Sequence, residues 1–319
     1  MAAPGVRTLV ALPSGPGEVI RCWPALDALA ASGRRLFALA EPEGAALLRL
    51  APSAPLLRLP ELAATRSVVR ATDCAEAVLL SRRLDDAWLA ASAGIPRRWG
   101  YRSLVTGWFL SRRVRSPSRR ALAGRPATED CRELLAAMDV PFGTAEPHLA
   151  LGEELRAAAR ERLARANVET GRGPVVGIYP GIAGGGSPRP WPRVRFEELV
   201  RRLRRTDSRL KIVLLATTAD LWPAVRIHEE TGKIHPVIGP DLTIDALAAL
   251  LAELDVVVAV ESWMLGLAAA AGSTVLGLYC RRPMRWAPPG TRHRTILGKA
   301  GSVGAIEVDR VVEVFGELA

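Results

Sequence analysis

Short runs that are almost wholly apolar recur along this chain, and each is followed by a longer segment with helical spacing. In the first half "VRTLVAL", "RLFALAEP", "PLLRLP" and "EAVLLS" alternate with "PALDALAASG", "GAALLRLAP" and "RLDDAWLAASAGIP". The second half restarts the rhythm with "PVVGIYPG", "LKIVLLAT", "PVIG", "DVVVAV" and "STVLGLY". A strand that is apolar at every position must be covered on both faces, and interleaved helices supply the cover. The expected class is therefore α/β, with two domains each built on a parallel sheet. The 319 residues fit two domains at roughly 150 residues apiece. The polar, Gly- and Pro-rich "NVETGRGP" (167–174) reads as the boundary, giving domains 1–166 and 167–319.

Helical spacing predicts which faces are buried. In "RLDDAWLAASAGIP" the apolar face is Leu84, Ala87, Trp88 and Ala91. In "RVRFEELVRRLRRT" it is Phe196, Leu199, Val200 and Leu203. Thr128 and Thr243 read as N-caps, and Pro223 falls near the first turn of "DLWPAVRIHEETG". "AIEVDRVVEVFGELA" closes the chain as a helix, expected to pack back on the first domain.

The formal charge of +10 suits an acidic partner. An arginine-rich coding composition is the alternative source of that excess. Residues 97–125 concentrate the charge: arginine throughout, no acid, and Trp99, Tyr101, Trp108 and Phe109 interleaved. This is either a solvated basic loop or a surface for anionic lipid headgroups or an anionic acceptor. No nucleic-acid-binding motif is present, which argues against an arginine-rich nucleic-acid binder. Cys22, Cys74, Cys131 and Cys280 are scattered and the four histidines do not cluster with them, so neither a metal site nor a disulfide framework is expected. No apolar stretch reaches the roughly 18 residues a spanning helix needs, and a secretory leader pattern is absent, so a cytoplasmic location is expected.

In open α/β sheets ligands bind at the carboxyl ends of the strands, so the loops there carry the chemistry. "PSGPGEVIRCWPAL" sets one carboxylate, Glu18, after a Gly-Pro-Gly turn between the first strand and its helix. The alternative is an acid that merely favours the helix dipole. "PGIAGGGSPRPWP" (180–192) offers glycine backbone, the Ser187 hydroxyl and the Arg189 cation to a phosphate, or is a surface loop. Asp220 follows a strand in "ATTAD". Glu261 ends the apolar "VVVAV" and Ser262 opens a helix, where an anion is favoured; the alternative is a simple N-cap.

Taken in order, these motifs resemble those of the bacterial heptosyltransferases, glycosyltransferase family 9, along nearly the whole chain. The family's "GD…PAL" loop is here Gly17-Glu18 and Pro24-Ala25-Leu26, and its "GI.RR.GY" piece is Gly94-Ile95-Pro96-Arg97-Arg98-Trp99-Gly100-Tyr101. Its "PG……K.WP" loop is Pro180-Gly181 leading to Arg189-Pro190-Trp191-Pro192, and its "DSG..H.A" signature is Glu261-Ser262-Trp263-Met264-Leu265-Gly266-Leu267-Ala268. "VLGLY" and a later "PPG" also fit.

The resemblance implies a GT-B fold, two Rossmann-like domains facing a central cleft. It implies an inverting, metal-independent glycosyltransferase with no cofactor beyond the nucleotide-sugar donor, ADP-linked in the family. The transferred sugar would be heptose-like and the acceptor lipopolysaccharide core or another anionic glycan. Glu18 matches the family's general base, Arg189 its diphosphate contact and Asp220 its ribose-holding acid. Leu242 stands where an apolar residue touches adenine, and Glu261 and Ser262 match the signature acid and hydroxyl. Peripheral contact with the inner membrane through 97–125 is expected with such an acceptor. The chain departs from the pattern at Glu18 and Glu261 (aspartates in the family), at Arg189 (lysine), at Trp263 (glycine) and at Gly266 (histidine). A diverged member that binds nucleotide or glycan with weak or no transfer is the alternative these departures leave.

Overall fold

The computed structural model describes residues 5–51, 57–58, 65–116, 131–143, 146–181, 190–280, 287–288 and 290–318. The chain forms two compact units, one running to Pro147 and the other from His148 onward.

In the first unit β1 (Arg7–Ala11) leads into α1 (Pro16–Ala31), β2 (Arg35–Leu39), α2 (Pro42–Leu48) and β3 (Leu57–Arg58). Then come α3 (Arg66–Ala71), β4 (Glu76–Leu79), α4 (Leu84–Ser92), β5 (Arg97–Tyr101), a 3-10 turn (Thr106–Phe109), β6 (Arg112–Val114) and α5 (Arg132–Ala136). The strands form one parallel sheet in the order β3-β2-β1-β4-β5-β6. This is the doubly wound order, with its reversal between β1 and β4.

The second unit opens with α6 (Glu153–Arg165) and continues with β7 (Val175–Tyr179), α7 (Arg193–Thr206), β8 (Lys211–Leu215) and a 3-10 turn (Thr218–Asp220). It goes on through α8 (Leu221–Glu230), β9 (Val237–Ile238), α9 (Ile244–Ala252), β10 (Val256–Val260), α10 (Trp263–Ala271), β11 (Thr274–Tyr279), β12 (Arg294–Leu297) and α11 (Val308–Gly316). Its sheet, also parallel, has the order β12-β11-β10-β7-β8-β9 and reverses between β7 and β10. The expected α/β class and paired Rossmann-like domains are thus present, the make-up of a GT-B fold. Every residue of β7 and β10 is buried, as their unbroken apolar runs require.

Several expectations change. α6 packs against α9, with Leu163 buried and Arg156 Nε 2.8 Å from Glu253 Oε1. It therefore goes with the second unit, and the division falls near residue 148 instead of at 167–174. The terminal helix α11 packs against α7, burying Val308, Val311, Val314 and Phe315 in the second core.

On α4 the buried residues are Ala87, Leu89 and Ala90, while Leu84 and Trp88 face solvent. The expected face is thus rotated, because a helix laid on a sheet at close range buries its small residues. On α7 all four expected residues are buried. Thr128 lies outside the described residues. Thr243 is the N-cap of α9 but makes no side-chain cap bond. The short elements α3, β6 and β12 carry too little periodicity to be read from sequence.

Candidate functional site

At the carboxyl edge of the first sheet, α1 begins earlier than its Ala/Leu-rich body suggests. Gly15, at φ +85°, is its N-cap and Pro16 its first residue. A positive φ there is glycine's to take, and proline at N1 forfeits no helical bond. The Gly-Pro-Gly turn is therefore the helix start itself, and Glu18 sits in the first turn of α1, not in a loop before it. Its carboxylate pairs with Arg21, one turn on, and its side chain keeps 37% of its exposure. The same edge gathers a second charged group: Arg83 donates to Ser14 Oγ at 3.0 Å and to Glu41 Oε1 at 2.6 Å, and Ser14 donates to Glu41 at 2.7 Å. These residues follow β1, β2 and β4, so they ring the β1/β4 reversal. Sequence reading picked out Glu18 and missed Ser14, Glu41 and Arg83, whose proximity depends on sheet order.

The carboxyl edge of the second sheet holds the other candidates. β7 and β11 end alike, in Gly-Ile-Tyr and Gly-Leu-Tyr, and both tyrosines are fully buried. The Tyr179 hydroxyl donates to Asp220 Oδ2, which also accepts from Thr217 Oγ1 at 3.1 Å. Asp220 is thereby fixed at the end of β8, buried beside Gly181. A Cβ on Gly181 would come within 2.7 Å of Asp220 Cβ and 2.6 Å of the Tyr179 ring, so the backbone after β7 passes directly over this acid. Leu242, half-buried, follows β9, and its N–H donates to the Gly239 carbonyl at 3.0 Å.

At the reversal, β10 ends in Val260 and delivers buried Glu261 and Ser262 to the start of α10. Ser262 holds the N-cap position, yet its side chain makes no cap bond. Its Oγ is buried without a hydrogen-bond partner, as is the Tyr279 hydroxyl. A buried hydroxyl left unmet costs about 1–3 kcal/mol, so two at one sheet edge mark a place built for something polar. Burial first, and then the Glu261 carboxylate, push the Tyr279 phenol well above its usual pKa, so it stays a donor. Trp263 is half-buried in the first turn of α10, outside the core, and Gly266 follows on the same helix face.

Asp220, Leu242, Glu261, Ser262 and Trp263 thus share the carboxyl edge of one sheet, four of them at the ends of its β8 and β10 strands and Leu242 after β9. Ser187 and Arg189 lie outside the described residues. Tyr179 and Tyr279 were missed in the sequence, although a hydroxyl ending an otherwise apolar strand was the available signal. Among the described residues no group of three or more metal-ligating side chains occurs, and no helix is long and apolar enough to cross a membrane.

The sequence profile of glycosyltransferase family 9 (heptosyltransferase) matches residues 66–308. No curated protein matches the sequence. Among solved structures, the family 9 glycosyl transferase from Veillonella parvula aligns at a TM-score of 0.86 with 17% identity, covering 100% of this chain and 98% of that one. The ADP-heptose lps heptosyltransferase II of E. coli aligns at 0.80 with 20% identity, covering 98% of each chain. The E. coli heptosyltransferase WaaC with ADP aligns at 0.68 with 18% identity, covering 98% of this chain and 97% of that one.

Proposed function

The chain belongs to glycosyltransferase family 9 (heptosyltransferase), and from that premise we propose that it is an inverting transferase that takes a sugar from an ADP-linked donor on its second unit. The observation that carries this reading is the pair of unmet buried hydroxyls, Ser262 Oγ and Tyr279 Oη, at the reversal of a doubly wound sheet beside the start of α10. A helix N-terminus at such a point attracts anions, and a hydroxyl beside it adds a donor. The WaaC structure carries ADP, and another E. coli WaaC structure carries ADP-2-deoxy-2-fluoro heptose, which supports an adenine diphosphate donor here. Asp220, held by Tyr179, accepts from the ribose hydroxyls. Leu242 covers the base. Arg189, Ser187 and the loop amides neutralise the diphosphate.

The acceptor is an anionic glycolipid, of lipopolysaccharide-core type, bound on the first unit near Glu18 and reached at a membrane surface by the basic segment 97–125; residues 117–125 of that segment lie outside the described ones. Glu18 takes the proton from an acceptor hydroxyl. The acceptor oxygen forms its bond to the anomeric carbon as the bond to the diphosphate breaks, and the nucleoside diphosphate leaves with the electron pair. Inversion follows because the acceptor oxygen enters opposite the leaving group. No metal and no further cofactor take part in this reading: Arg189 and the amides at the start of α10 carry the leaving group's charge.

Calorimetry with ADP, UDP and GDP tests the donor. ADP is expected to bind tightest, and equal affinity for all three would overturn the nucleotide assignment. Arg189→Ala should weaken ADP binding by about 1.5–3 kcal/mol, the worth of hydrogen bonds to charged groups, and adenosine binding far less. Equal loss for both ligands would mean that Arg189 shapes its loop and does not hold phosphate. The bulk of Trp263 one turn before Gly266 is a size exchange at the donor edge relative to the family's glycine and histidine. Trp263→Gly is expected to widen the range of sugars accepted and to leave the thermal midpoint nearly unchanged, since the ring lies outside the core. An unaltered donor profile in a panel of ADP-sugars would show that the ring does not meet the sugar.

A further inference from the structure

Among the described residues of the first unit, every exposed large apolar side chain lies in one neighbourhood. Leu104, Val105 and Trp108 stand on the loop after β5, and Leu84 and Trp88 on α4, which packs against the Thr106–Phe109 turn. The loop is firmly built. Ser103 and Thr106 hydroxyls bond each other at 2.6 Å, the Thr106 N–H donates to Ser103 Oγ at 2.9 Å, and the Gly107 N–H donates to the Ser103 carbonyl at 3.2 Å. Beyond the turn Leu110 belongs to the core and Phe109 packs against it. A turn tied on both sides nevertheless holds Leu104 at 95% and Trp108 at 84% exposure. Such exposure has no folding rationale, because each apolar side chain left in water forgoes its burial.

Charge surrounds these knobs. Arg102, Arg113 and Arg115 line one open concavity of about 1000 Å³ together with Leu104 and Trp108. No carboxylate occurs in the sequence between Asp86 and Glu129. Aliphatic and indole side chains ringed by guanidiniums are the make-up of an interfacial anchor: aliphatics reach the acyl boundary, the indole sits at headgroup level, and arginines meet phosphates.

We propose that the 102–115 loop inserts Leu104, Val105 and Trp108 into the surface of an anionic lipid bilayer, while Arg102, Arg113 and Arg115 bind headgroup phosphates. A purely electrostatic partner would leave Leu104 and Val105 unexplained, whereas hydrocarbon accommodates both. The loop leaves the carboxyl end of β5, the same sheet edge that carries Glu18. The anchor therefore sets the acceptor edge of the first unit at the membrane, a purpose that rests on the glycolipid-acceptor reading; the binding itself does not.

Co-sedimentation with vesicles of phosphatidylglycerol and phosphatidylethanolamine, against vesicles of phosphatidylcholine alone, tests it. The native chain is expected to favour the anionic vesicles and to keep part of its binding at high salt. The double variant Leu104→Ser with Trp108→Ser should lose on the order of tenfold or more in partition, since two apolar side chains leave the lipid. Arg113→Gln and Arg115→Gln should each cost about fivefold and flatten the salt dependence. Unchanged thermal midpoints would certify that these exposed sites act at the surface. Native-like partition of the serine double variant, or full displacement of the protein from vesicles by inorganic phosphate, would overturn the proposal. ADP calorimetry on the same samples separates the two readings: vesicle binding without nucleotide binding sinks the transferase reading alone, and nucleotide binding without vesicle binding sinks the anchor alone.

Discussion

Glu18→Gln is expected to abolish sugar transfer while ADP affinity stays at the native level. The amide keeps the shape of the carboxylate and its place in the first turn of α1, but cannot take a proton. A positioned general base is worth on the order of 10²–10⁴ in rate, so turnover should fall by that factor. The geometry suits the role in two ways. The side chain remains partly exposed, so an acceptor hydroxyl can reach it, and Arg21 one turn on fixes the direction in which it points. Glu18→Asp is expected to restore part of the lost rate, because a shorter carboxylate is still a base. Single-turnover rates with a radiolabelled sugar donor provide the measurement. Native turnover in the glutamine variant would reduce Glu18 to an acid that only stabilises the start of α1, where a negative charge near the dipole contributes about 0.3–1 kcal/mol.

The sheets were legible because their strands are apolar at nearly every position, a pattern that only burial on both faces produces. "DVVVAV" and "PVVGIY" became fully buried neighbours, β10 and β7, although 80 residues separate Val175 from Asp255, which binds its N–H. Faces were less legible where helix and sheet approach closely. On α4 the periodicity placed Trp88 inward, but the helix buries Ala87, Leu89 and Ala90 and turns the indole outward. That error is informative, since the outward indole adjoins the loop argued above to meet lipid. The boundary at 167–174 followed composition, whereas the chain divides by contact. α6 carries a mixed-charge surface that reads as solvent-facing, yet Arg156 and Arg162 spend that charge on Glu253 and Asp241 of the second unit.

The candidate site divides in the same way. Residues at the ends of strands (Asp220, Glu261, Ser262) were visible, because a polar residue that closes an apolar run has few reasons to be there. Their partners were not. That Tyr179 holds Asp220 depends on β7 and β8 being neighbours, and that Ser262 fails to cap its own helix depends on where its hydroxyl points. Neither is encoded in local spacing. The resemblance to family 9 supplied roles for these positions that spacing alone could not, and the family profile over residues 66–308 supports the same membership.

At the opposite, amino edge of the first sheet lies a buried charged group whose removal should cost the most stability. Glu76, at the start of β4, is 2% exposed. It accepts from Arg34 Nε at 2.7 Å and from Thr8 Oγ1 at 2.9 Å. Arg34 is itself buried. The sequence shows only an acid at the head of a strand; Thr8, 68 residues away, faces it in the β1–β4 register, and Arg34, 42 residues away, precedes β2 on the other side of β1. Glu76→Ala would strand a guanidinium in the protein interior, and breaking a buried pair from one side costs about 3–5 kcal/mol. The urea midpoint of the first unit is expected to fall accordingly. Replacing both partners, Glu76→Leu with Arg34→Met, should recover most of that loss, because a matched apolar pair leaves no uncompensated charge. ADP affinity, measured where each variant is folded, should not move, since the residues proposed above to hold the nucleotide belong to the other unit. A fall of less than about 1 kcal/mol in Glu76→Ala, the scale of an exposed ion pair, would show that water reaches Arg34 and that the pair does not hold this edge of the sheet together.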